Sequence, residues 1–121
     1  MKMLEGIKVL DFTTNASGPK VGTYFADYGA EVIKVEVPGG EGGRKFKYYC
    51  NGISSYACGK DRGKKCIEMK LSDPDAQRIL LDVIKNVDIV LSSNTPGFLE
   101  KFGLGYEDMK KVNPEIVYGA L

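Results

Sequence analysis

LEGIKVLDFTTNASGPKVGTYFADYGAEVIKVEVPGG, residues Leu4–Gly40, decides the fold. The apolar run Ile7, Val9 and Leu10 ends in the turn Asn15-Ala16-Ser17-Gly18-Pro19. A helical pattern follows, with Pro19 suited to its first turn. Val21, Tyr24, Phe25 and Tyr28 recur at helical spacing, which predicts one apolar face against a sheet. Gly29 is placed to close that helix. Glu31 to Glu36 then reads as a second strand. Strand, helix and strand in this order form a βαβ unit. Ligands of such sheets bind just past the carboxyl ends of the strands, here Asp11 to Ser17 and Glu36 to Gly40.

Outward from this unit the chain alternates. Val37 to Gly63 is rich in glycine and tyrosine and has no sustained period, so a long loop is expected, with a short element near Ser54 to Cys58. Cys66 to Met69 reads as a short strand. Ser72-Asp73-Pro74-Asp75 is a helix start with a cap residue, a proline at the first position and an acid at the positive end of the dipole. Ile79, Leu80, Val83, Ile84 and Val87 are its expected buried stripe. Asp88 to Leu91 reads as a strand. Pro96 to Phe102 and Tyr106 to Val112 read as short helices, and Glu115 to Leu121 as a last strand. This predicts an α/β domain over residues 1–121, a Rossmann-like, mostly parallel sheet flanked by helices. Ending on a strand, the chain reads as the amino-terminal part of a larger fold.

With 43% apolar residues, a chain of 121 residues can bury a core. Its 17 basic and 16 acidic residues leave a net charge of +1, without the positive field that nucleic acid requires. No apolar run approaches the ~20 residues that span a bilayer. The start from Met1 to Gly6 has no signal core, so a cytoplasmic location is expected. Cys50, Cys58 and Cys66 fit no zinc or redox spacing, and no metal is expected. They read as free thiols, with a reactive thiol on the 50–58 loop as the alternative. The absence of histidine excludes imidazole-based triads within the chain.

The turn after the first strand carries only part of a dinucleotide fingerprint. Gly18 and Gly22 are present, Pro19 removes an amide donor, and Glu36 stands where a ribose-binding acid would. The cluster Lys60-Asp61-Arg62-Gly63-Lys64-Lys65 offers cations for phosphates, or forms a solvated turn. The loop Ser92 to Gly97 lies at a strand end and should sit beside the first turn.

LEGIKVLDFT, the small-residue turn with Gly18-Pro19, ADYGAEVIKVE, PGGEGGR and the stretch from Asp61 to Leu121 together resemble the start of a family III CoA-transferase. This group holds formyl-CoA transferase, carnitine CoA-transferase and α-methylacyl-CoA racemase. The resemblance spans essentially the whole chain, and family members are much longer. It implies coenzyme A as the bound substrate, with acyl-CoA and carboxylic acid partners and an interlocked homodimer for the parent. It implies coenzyme A contacts at Ala16 and Ser17, at Val37, at Lys64 and Lys65, and an adenine pocket over Met69, Lys70, Leu71 and Ser72. Ser93, Asn94 and Thr95 would line the pantetheine and diphosphate path, and Lys101 falls where the family carries an arginine. Val37 stands in place of a basic residue, Ala16 in place of a glutamine and Thr14 in place of a histidine. The family's nucleophilic aspartate lies beyond the residue matching Leu121, so no catalytic residue is assigned here. A racemase parent and a stand-alone coenzyme A-binding module are the alternative readings.

Overall fold

The computed structural model describes residues 1–46 and 48–121. Its elements run β1 (Lys8–Asp11), α1 (Ser17–Asp27), β2 (Glu31–Glu36), a 3-10 turn (Gly42–Lys45), β3 (Tyr49–Cys50), β4 (Ile53–Ser54) and α2 (Ser55–Asp61). They continue with β5 (Lys65–Glu68), α3 (Pro74–Ile84), β6 (Ile89–Ser92), a 3-10 turn (Glu100–Phe102), α4 (Tyr106–Val112) and β7 (Val117–Ala120). The main sheet has the order β5-β2-β1-β6-β7, and every pairing in it is parallel. Strand order therefore reverses direction between β1 and β6, which makes their carboxyl ends the switch point of the sheet. Among the described residues no helix is long and apolar enough to cross a membrane.

Alternation along the strands divides the core in two. Leu10, Val35 and Val90 face Leu80, Ile84 and Met109 of α3 and α4. Val9, Val32 and Leu91 face Val21 and Phe25 of α1. In the register Val9↔Val32, Asp11↔Lys34, the α1 side runs from apolar to charged within one step.

Two expected faces differ. Tyr24 and Tyr28 are about half exposed, and α1 instead buries Gly18, Pro19, Gly22 and Thr23. The reason is distance: a Cβ on Gly18 would lie 2.5 Å from Thr13 Cβ, so only a small residue lets helix and strand approach this closely. On α3, Leu80 and Ile84 are fully buried, whereas Ile79 is 42% exposed at the edge of the stripe. Pro96 to Phe102 forms loop and a 3-10 turn, with Gly103 closing it at φ 66°. The described part of the 37–63 stretch carries more order than a loop, because α2 docks onto α1 and the β3–β4 hairpin packs on α2 and the 3-10 turn.

Helix ends follow local chemistry. Gly29 has φ 105°, its N–H donates to Ala26, and the Ala30 N–H donates to Phe25, a Schellman closure. Asp73 caps α3 by accepting from the Asp75 N–H at 2.9 Å. Replacing Asp73 with Ala should cost about 1 kcal/mol, read as a lower urea midpoint. Ser72→Ala, one residue outside the cap, should leave that midpoint in place.

Candidate functional site

The carboxyl ends of β1, β2 and β6 frame a cleft of ≈ 120 Å³. Its apolar walls are Phe12, Val35, Val37, Met69, Leu71 and Phe98, and its polar groups come from Thr14, Glu36, Glu41 and Asn94. The cleft thus lies at the end of the sheet where the strand order predicts a ligand.

Hydrogen bonds fix the loops around it. Ser93 Oγ accepts from the Thr14 N–H at 2.9 Å and donates to the Thr14 carbonyl at 3.2 Å. Asn94 Nδ2 donates to the Phe12 carbonyl at 3.1 Å. The loop after β6 is in this way stitched to the turn after β1. From the other side, Glu41 Oε2 accepts from the Asn15 N–H, and the Tyr56 hydroxyl donates to the Asn15 carbonyl. Asn15 is held at φ 65°, a left-handed conformation that asparagine tolerates better than most side chains. Lys60 Nζ donates to the Ala16 carbonyl at 2.9 Å. Ala16 and Ser17 themselves are exposed, and α1 begins without a side-chain cap.

Glu36 closes the β2 side. Its carboxylate receives Arg44 Nε at 2.6 Å, a second guanidinium nitrogen, and the Glu41 N–H at 2.9 Å. Burial would raise its pKa, but the Arg44 guanidinium, the Glu41 N–H and the Cys66 thiol outweigh burial and hold it down at about 2. A ribose-binding role for Glu36 would have to compete with these partners. The Cys66 thiol is pushed up to about 11, by burial first and then by Glu36. That makes it a poor nucleophile near neutrality. All three cysteines are free, and Cys50 and Cys58 are exposed.

Of the residues singled out in the sequence, Val37, Met69, Leu71 and Asn94 meet in the cleft. Thr95 lines a neighbouring hollow at the ends of β6 and β7, together with Asn94 and Glu100. Ser93 acts as the stitch described above. Lys70 and Ser72 flank Leu71 with exposed side chains, and Lys101 is exposed on its 3-10 turn. The two lysines after Gly63 are divided. The Lys65 side chain is 71% exposed and pairs at 2.5 Å with Glu31, the first residue of β2, away from the strand ends that form the cleft. The Lys64 side chain is fully buried, 2.8 Å from Asp11 and 3.5 Å from Asp61. Its charge is spent inside the fold, since a β1 strand-end carboxylate needs a cation once buried.

Sequence reading missed Arg44, Glu41, Tyr56 and Lys34. The signal for Arg44 was the glycine pair before it. A Cβ on Gly40 would sit 2.6 Å from Arg44 Cδ, so the glycines let the loop fold back onto Glu36.

The cleft supplies apolar walls, and the uncapped start of α1 with Lys60 beside it supplies N–H donors and positive charge.

The family model for CoA-transferase family III matches residues 4–121. A probable fatty acyl-CoA transferase of Mycobacterium tuberculosis is 41% identical over 99% of this chain and 31% of its own length. The mouse succinyl-CoA:glutarate CoA-transferase is 40% identical over 98% of the chain and 28% of its own. A CAIB/BAIF family protein from Brucella suis, 31% identical, superposes with a TM-score of 0.92 over 98% of this chain and 33% of that one. The chain spans about a third of the length of these relatives. With residues 4–121 matched by the family model and 98% of the fold superposed, the chain belongs to CoA-transferase family III.

Proposed function

We propose that this chain forms the nucleotide side of a CoA-transferase that moves coenzyme A between an acyl-CoA thioester and a carboxylic acid. The observation that carries the reading is the cleft at the β1–β6 switch point, lined by Val37, Met69, Leu71 and Asn94. The adenine would lie between Val37 and Met69-Leu71. The diphosphate would run along Ala16 and Ser17, drawn by the α1 amides and Lys60. The pantetheine arm would leave past Asn94 and Thr95.

In the reaction, a carboxylate attacks the thioester carbonyl carbon and expels the coenzyme A thiolate, leaving a mixed anhydride. The thiolate then attacks the aspartyl carbonyl of that anhydride, which releases the donor acid as its carboxylate and leaves an aspartyl-CoA thioester. The acceptor carboxylate attacks this thioester and expels the thiolate. The thiolate attacks the acceptor's acyl carbon in the resulting anhydride, which gives the new acyl-CoA and frees the aspartate. The attacking aspartate belongs to a part of the protein outside these residues. Asp11 cannot serve, because its carboxylate is buried between Lys64 and Thr13. The parent enzyme acts as a homodimer in the cytoplasm.

Calorimetric titration of the chain tests the reading. Coenzyme A should bind at least about tenfold tighter than NAD, a difference of ~1.4 kcal/mol, and added salt should weaken it. Equal affinity, or tighter NAD, overturns the assignment. The 121-residue chain should show no thioester exchange with any carboxylic acid.

A further inference from the structure

Beneath the β1–α1 turn lies a group of four charges that the reading above does not use. Lys34 on β2 and Lys64 before β5 have fully buried side chains, as does Asp11 at the end of β1, and Asp61 at the end of α2 is 7% exposed. The two lysines grip opposite ends of the turn. Lys34 Nζ donates to the Thr13 carbonyl at 2.9 Å, where the chain enters it. Lys64 Nζ donates to the Pro19 carbonyl at 2.7 Å, where it leaves. Asp11 neutralises Lys64 at 2.8 Å and also accepts from the Thr13 N–H and hydroxyl. Asp61 stands between the two cations, 3.6 Å from Lys34 and 3.5 Å from Lys64, and its Oδ2 has no hydrogen-bond partner among the described residues. Two positive and two negative groups balance.

Asp61 is the member that comes from outside the sheet. It arrives on α2, the same helix that fastens the turn from above through Tyr56 on Asn15 and Lys60 on Ala16. A buried charge left without its counter-charge is strongly unfavourable, whereas a balanced set is tolerated. Docking of α2 therefore completes the charge balance and sets the stretch from Thr14 to Gly18.

We infer that Asp61 is a positioning residue, which through Lys34 and Lys64 holds the β1–α1 turn in its ligand-binding form. The inference rests on the proposed coenzyme A site for its consequence, but the positioning itself is measurable without ligand.

The test compares the unaltered chain with Asp61→Asn, Lys34→Met, the double variant and Asp61→Glu. Amide hydrogen exchange over Thr13–Gly18 reports the turn, and calorimetry with coenzyme A reports binding. Asp61→Asn and Lys34→Met, each leaving one unbalanced charge, should each speed exchange there and weaken coenzyme A by about tenfold or more, a factor equivalent to ~1.4 kcal/mol. The double variant restores neutrality and should lose no more than the worse single one, so the losses fail to add. Asp61→Glu should keep most of the protection. Additive losses, unchanged exchange in Asp61→Asn, or failure of the double variant to fold would overturn the inference. If the singles unfold and the double folds, the charge-balance account stands. If the unaltered chain binds no coenzyme A, the site assignment falls, while the exchange pattern still decides the role of Asp61.

Discussion

Replacing Gly22 with Ala should destabilise this chain by about 3–7 kcal/mol, although alanine is the better helix former. The estimate combines overpacking, about 1–3 kcal/mol, and the loss of a buried ion pair, ~3–5 kcal/mol when one partner is displaced. Against these stands about 1 kcal/mol gained from helix propensity. The geometry leaves the extra methyl no room. A Cβ on Gly22 would lie 2.4 Å from Asp11 Oδ2 and 2.9 Å from Lys64 Nζ, atoms that are themselves paired at 2.8 Å and fully buried. Gly59, inside α2, provides the contrast, since a Cβ there meets nothing within 4 Å. Gly59→Ala should be neutral or stabilising by up to ~1 kcal/mol. Urea unfolding of both variants decides the matter. Equal midpoints would mean that the Asp11–Lys64 pair does not occupy the space beneath α1.

That pair also marks where the sequence stops being readable. β2 runs from Glu31 to Glu36 and α4 from Tyr106 to Val112, as the local pattern predicts. Both elements are announced by signals within a few residues: a closing glycine, an apolar run, a proline two residues past the helix end. The parallel order follows from the alternation of strands and helices. Lys64 is another matter. Its partner Asp11 lies 53 positions earlier. A run of charges reads as a solvated turn or a phosphate site because nothing nearby tells of a buried carboxylate six elements earlier in the chain. The face of α1 was misread for a related reason. Hydropathy weights Tyr24 and Tyr28, whereas close approach to the sheet selects Gly18 and Gly22.

The candidate site divides along the same line. Val37, Met69, Leu71 and Asn94 follow strand ends, and strand ends are predictable, so their meeting in one cleft was legible. Glu36 stands at the strand end where a ribose-binding acid would, yet its carboxylate is taken up by Arg44 and the Glu41 N–H. Its true neighbour, Arg44, is brought round by Gly39 and Gly40, both at positive φ. Composition alone shows such a loop as glycine-rich. It does not show which charge the loop returns to the strand.

The Glu36–Arg44 pair carries the remaining large effect, and it has a pH signature. Arg44→Ala should cost about 2 kcal/mol at neutral pH. The upper bound comes from Glu36, whose pKa falls from 4.5 to about 2 on folding, a shift equivalent to ~3 kcal/mol. The Arg44 side chain is 38% exposed, so water screens part of the interaction and the expected loss is smaller. The sign follows from the depressed value. Glu36 ionises more readily in the folded chain than in the unfolded one, so its contribution is fully present above pH 4.5. It is lost as the pH falls from there towards 2, where the folded carboxylate takes up its proton. Without Arg44 the largest part of that contribution is missing at neutral pH and cannot be lost, and only the Glu41 N–H and the Cys66 thiol are left to offset burial. The stability gap between the unaltered chain and Arg44→Ala should therefore narrow on acidification through this window. Urea unfolding at a series of pH values, taken as low as both chains stay folded, measures the gap. A gap that stays constant from neutrality down through the window would show that Arg44 stabilises the loop by packing, and that Glu36 does not depend on its charge. A narrowing gap would tie the β2 rim of the cleft to one ion pair, with Gly39 and Gly40 as the hinge that brings its two halves together.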